Sequence, residues 1–123
     1  MKTIGLDVGA RRTGVAFLDS ATGITLPLDT LRHVHEAELV SNVARLAKER
    51  GVDRVVVGLP LLPSGEEGEQ ARFVRAIALR LEKEGLAVSL LDERYSTDRP
   101  SGYDKDAAAA CHLLSLFAER EAK

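Results

Sequence analysis

The chemistry in this chain of 123 residues lies in where its acids fall. Asp7 stands inside an apolar stretch, KTIGLDV, on the face opposite Ile4, Leu6 and Val8. A carboxylate in a central strand needs a partner or a metal to offset its desolvation. Asp92 and Glu93 follow directly on an apolar run that ends at Leu91, and Asp104 and Asp106 open the last helical stretch. Taken singly, each acid has an ordinary reading. A strand-end acid is solvated, and an acid in a helix's first turn caps it and favours its dipole, which suits Asp104. Taken together, acids from the first strand, a later parallel strand and a helix can meet at one edge of a sheet. Carboxylate oxygens are the ligands that Mg²⁺ and Mn²⁺ prefer. Two such ions about 3.5–4 Å apart clamp a phosphodiester, one activating the attacking water and the other stabilising the leaving oxygen. This reading selects Asp7, Glu93 and Asp106, as catalytic residues and as metal ligands.

Those acids need a scaffold, and the periodicity supplies one. Lys2 to Val8 and Thr13 to Leu18 read as short strands joined by the turn Gly9-Ala10-Arg11-Arg12. Ile24 to Leu31 reads as a third, interrupted at Pro27. From Glu36 to Arg50 the apolar residues recur at helical spacing, with Gly51 as the stop. Arg54 to Leu59 is an unbroken apolar run of the kind covered on both faces. Pro60 to Gly68 is a loop, Glu69 to Glu84 a helix, Leu86 to Leu91 another buried strand, Thr97 to Tyr103 a polar loop, and Asp104 to Glu119 a final helix. The order β-β-β-α-β-α-β-loop-α predicts an α/β fold: a mixed five-stranded sheet, an antiparallel three-strand meander followed by βαβ units, with helices on both faces. Residues 1–120 are expected to form one domain, with 121–123 a tail.

Composition narrows the class. With 45% hydrophobic and 29% charged residues, the chain is neither disordered nor fibrous. No apolar run approaches the roughly 18 residues of a membrane span, so no membrane partner is expected. The single Cys111 excludes an internal disulfide and a cysteine-based metal finger, pointing to the cytoplasm. Net charge is −2, so no global field draws in polyanions, and a nucleic-acid role has to rest on a local site.

Four stretches carry a family likeness: GLDVGARRTGVAFLD (5–19), VVVGLPLLPSGEEGEQARFV (55–74), LLDERYST (90–97) and DAAAACHLL (106–114). In that order they resemble the YqgF/RuvX family, Holliday-junction resolvases and pre-16S rRNA nucleases with an RNase H-like fold. The resemblance implies a divalent-metal-dependent endonuclease acting on branched DNA, on the ends of precursor rRNA, or on both. It places the catalytic acids on Asp7, Glu93 and Asp106. It puts Arg11, Arg12 and Arg94 where they can grip phosphate, with Ser96, Thr97 and Lys105 beside them as substrate-binding residues. Gly9 and Gly14 would let the backbone turn tightly after Asp7. Beyond Mg²⁺ or Mn²⁺ no cofactor is implied. Cutting a junction symmetrically takes two sites, hence a homodimer, whereas trimming RNA ends does not. The chain departs from the family in the short stretch between Thr97 and Asp106, which keeps only Arg99 and Lys105 as basic residues, and in Ala109, three after Asp106.

Other candidates read as structural. His33 and His35 form an H-x-H pair before the first long helix, which suits a surface or capping role, and Cys111 reads as a small core residue. Two further readings stay open: a non-catalytic nucleic-acid-binding or ribosome-assembly module on the same fold, and an ATP-handling domain, since LDVGARRTGVA is also similar to the phosphate loop of actin-like sugar kinases.

Overall fold

The computed structural model describes residues 1–94 and 105–121. The loop read over Thr97–Tyr103, with Ser96 and Thr97, lies outside them. Five strands and three helices follow in chain order: β1 (Lys2–Val8), β2 (Arg12–Asp19), β3 (Ile24–Arg32), α1 (Glu36–Arg50), β4 (Arg54–Leu61), α2 (Glu69–Lys83), β5 (Val88–Arg94) and α3 (Lys105–Glu121).

The strands form one sheet in the order β3-β2-β1-β4-β5. β1 pairs antiparallel with β2 and parallel with β4, and β5 runs parallel to β4. The expected mixed sheet is thus present, with β1 at its centre. Alternation along each strand sorts its residues between two cores. Ile4, Leu6, Val15, Val55, Val57 and Leu59 pack with α1 and α2 through Leu39, Val43, Val74, Ile77 and Leu81. Ala16, Val56 and Leu91 pack on the other face with Ala110, Leu113, Leu114 and Phe117 of α3. Helices therefore cover both faces, as the sequence predicts.

Local chemistry explains the boundaries. Gly51 ends α1 in the left-handed conformation (φ 62°), and its N–H bonds back to the last turn. Acids in the first turn of α1 and bases in its last turn complement the helix dipole. β3 runs on through Pro27, which lies opposite Ala16; a proline is tolerated there because β3 is an edge strand. β4 likewise continues through Pro60 to Leu61, and β5 begins at Val88 and continues past Leu91 to Arg94.

One irregularity matters below. Val15 lies opposite Leu28 and Thr13 opposite Leu31, so β3 spends one more residue than β2 over this span. Such a bulge shifts every later β3 residue to the opposite face from the one a regular ladder would give it.

Candidate active site

The C-terminal ends of the parallel strands β1, β4 and β5 share one edge of the sheet, where ligands bind in open α/β folds. Asp7 stands at that end of β1, half-buried, opposite Gly14 of β2. It shares the parity of Gly5, over which α3 packs, so it belongs to the α3 face, away from Ile4, Leu6 and Val8. Glu93 lies opposite Pro60 near the end of β5, two residues beyond Leu91, whose side chain is in the α3-side core. Positions 7 and 93 thus share one face and one end of the sheet. Continuing the β1–β4 register past Leu6 and Val57, Asp7 falls level with Gly58, itself opposite Leu91. Two strand spacings and two residues of rise put the Cα atoms of Asp7 and Glu93 about 12 Å apart.

Two glycines flank Asp7 on that face, Gly14 on β2 and Gly58 on β4. With no side chain on either neighbour, the floor between the β1 and β5 acids stays open. Gly5 lets α3 come close: a Cβ there would lie 2.7 Å from Leu114 Cγ and 3.1 Å from the Ala110 carbonyl oxygen. Asp106 is one helical turn before Ala110, in the first turn of α3.

The surroundings hold the end of β1 in place. Gln70 Nε2 donates to the Val8 carbonyl at 2.8 Å, tying α2 to the residue after Asp7. The turn that follows is tight because Gly9 N–H donates to Arg12 O at 2.9 Å; a Cβ at Gly9 would meet that oxygen at 2.5 Å. Arg11 and Arg12 are both exposed, Arg11 on this turn and Arg12 at the start of β2. Arg94 ends β5 opposite Leu61, and Lys105 begins α3. Among the described residues, no three His, Cys, Asp or Glu side chains form a metal-holding group.

His33 departs from the expected surface role. It is 4% exposed, shares a 2.9 Å hydrogen bond between Nε2 and Thr13 Oγ1, and donates its backbone N–H to Arg11 O at 3.0 Å. Burial lowers its pKa, partly offset by nearby Glu38. Glu38 in turn accepts from the Val34 N–H at 2.8 Å, which holds its own pKa down. Arg32, which sequence reasoning passed over, lies opposite Arg12. Nothing local marked it, because its placement depends on the β3 bulge.

This architecture is that of RNase H-fold nucleases. A Thermus thermophilus RuvC, solved in complex with a Holliday junction substrate, superposes with a TM-score of 0.63 at 13% identity, over 98% of this chain and 96% of its own. The chain belongs to the RuvX family, whose model, described as Holliday junction resolvase, matches residues 1–119. A Chloroflexus aggregans relative named "Putative pre-16S rRNA nuclease" is 46% identical over 98 residues, covering 76% of this chain and 67% of its own length. One of the same name from Chloroflexus aurantiacus is 42% identical over 95 residues, covering 76% of this chain and 62% of its own length.

Proposed function

We propose that the chain is a metal-dependent endonuclease that hydrolyses nucleic-acid phosphodiesters, built as a single domain and working in the cytoplasm. The observation that carries this reading is the shared face and shared end of positions 7 and 93, beneath the helix that bears Asp106. The donor set fits a hard cation: Asp7 is half-buried, faces a glycine on the next strand, and its proposed partners offer only carboxylate oxygens. Asp7, Glu93 and Asp106 would hold Mg²⁺ or Mn²⁺, two ions in our reading, which when bound lower the pKa of water and stabilise charge on the phosphate.

The chain's own residues position the substrate. Asp7 sits on the central strand, fixed from both sides by β2 and β4 and from beyond by Gln70. Arg11 and Arg12 on the neighbouring turn, with Arg94 and Lys105 at the ends of β5 and α3, supply charge-assisted hydrogen bonds to phosphate oxygens. Ser96 and Thr97 complete the proposed set of substrate-binding residues.

The test is Mn²⁺-dependent cleavage by the pure protein and by Asp7→Asn, on a four-way DNA junction, linear duplex, single-stranded DNA and a precursor rRNA fragment. Cleavage that vanishes in the variant supports the nuclease, and the preferred substrate separates DNA from RNA. Junction cleavage would come with a dimer in solution. A folded protein that cuts none of the four would instead favour a ribosome-assembly module, a reading that the acidic pI of about 5.9 favours.

A further inference from the structure

We propose that Arg32, together with Arg12 and Arg11, forms a phosphate subsite that holds the nucleic-acid strand beside the Asp7 centre. The inference rests on the nuclease reading and extends it to the β2–β3 end of the sheet.

A groove of about 620 Å³ opens there, lined by Arg11, Arg12, Arg32, His33, Val34 and Glu38. The β3 bulge creates its charge. A regular ladder continued from Val15 and Leu28 would set Thr30 opposite Thr13 and Leu31 opposite Arg12. The extra residue instead sets Leu31 opposite Thr13, where it packs into the core, and brings Arg32 opposite Arg12. Arg12 has the parity of Gly14 and Ala16, so this pair shares the α3 face with Asp7. Cross-strand neighbours have Cβ atoms about 4.5–5.5 Å apart, and like charges placed so are destabilising. A bulge that brings two guanidinium groups face to face makes structural sense if an anion lies between them.

The lining offers little internal relief. Glu38 is its one carboxylate, and that group already accepts from the Val34 N–H. His33 forms the groove's buried wall and is committed to Thr13 Oγ1. Planar guanidinium forks suit phosphate oxygens, and a phosphodiester is the anion that a nucleic acid delivers beside a cleavage centre. From strand spacing and rise, the Cα atoms of Asp7 and Arg32 are about 12 Å apart, a span that the long arginine side chain shortens.

The experiment measures binding in EDTA, with no cleavage, by fluorescence anisotropy of a labelled four-way DNA junction and of a precursor rRNA fragment. Arg32→Ala should weaken binding about tenfold. It should also shrink the slope of log K against log salt by about 0.7–0.9, one phosphate contact. Arg32→Lys should restore the slope, and Arg45→Ala, on the outer face of α1, should leave it unchanged. Inorganic phosphate should raise the thermal midpoint of the wild type more than that of Arg32→Ala. If Arg32→Ala folds poorly, Arg32→Gln replaces it. Unchanged affinity and slope in the variant overturn the subsite, even if Asp7-dependent cleavage is present. Loss of slope in a protein that cuts nothing would uphold the subsite and overturn the nuclease reading.

Discussion

Gly5→Ala tests whether the close approach of α3 to the sheet sets the site. The added methyl would lie 2.7 Å from Leu114 Cγ, 3.0 Å from Leu114 Cδ2 and 3.1 Å from the Ala110 carbonyl oxygen. Carbon atoms at ease lie about 3.5–4.0 Å apart, so Leu114 has to retreat by about 1 Å. The backbone oxygen cannot rotate away, so the helix itself shifts. Overpacking of this kind costs about 1–3 kcal/mol. For a chain of this size, 2 kcal/mol lowers the thermal midpoint by about 6–10 °C. Asp106 rides one turn before Ala110, and a 1 Å misplacement of a positioned group can cost about 100-fold in rate. Calorimetry and the Mn²⁺-dependent cleavage assay read the two effects separately. In a double-mutant cycle, Leu114→Ala removes the clashing atoms, so the pair should be less destabilising than the two single changes added, by about 1 kcal/mol or more. An unchanged midpoint for Gly5→Ala, or strict additivity in the cycle, would refute the argument. A lowered midpoint with an unchanged cleavage rate would show that α3 does not set the catalytic geometry.

Three further outcomes are expected. His33 has a pKa lowered by burial from its ordinary 6.5, so above that value neither the folded nor the unfolded chain binds a proton there. Below it the unfolded chain takes the proton first, so this contribution to stability is lost as pH falls, at no more than about 1.4 kcal/mol per pH unit; urea melts at about pH 7.5 and 5.5 should show a smaller drop in His33→Gln than in wild type. Gly9→Ala would put a Cβ 2.5 Å from the Arg12 carbonyl oxygen and open the turn that carries Arg11 and Arg12; melting should show about 1–3 kcal/mol of destabilisation, and anisotropy a weaker grip on nucleic acid in EDTA. The Cys111 thiol, pushed up from 9.0 by burial in α3, should react with a disulfide reagent at about pH 8 more slowly than free cysteine and regain normal speed in urea; rapid reaction in the native protein would show that α3 does not shelter it.

Much of this molecule is written in local pattern. The alternation in KTIGLDV set Asp7 apart from Ile4, Leu6 and Val8, and the sheet keeps that division because β1 is covered on both faces. Helix ends were readable from Gly51 and from the charges in the first and last turns of α1. What could not be read depends on register. Nothing in the Ile24–Arg32 segment announces that it spends an extra residue against β2, so Arg32 passed unnoticed. His33 looked like a surface residue because Thr13, its hydrogen-bond partner, is distant in sequence. Gly58 read as punctuation in an apolar run, and its place level with Asp7 emerges only once β4 is known to neighbour β1.

The layout of the sheet has a consequence for the order of assembly. The β1-β2-β3 meander closes through short turns, so it can form early and from local encounters. The β1–β4 pairing has to wait for α1 to be spanned, and the second core has to wait for α3, the last helix described. Until α3 docks, Ala16, Val56 and Leu91 form a bare apolar surface on one side of the sheet. The first strand and the last helix are therefore partners across nearly the whole sequence, and the face that carries Asp7 is finished last. A growing chain would hold this acid in place well before anything stood opposite it, so the proposed activity would switch on in a single step, when the final helix arrives.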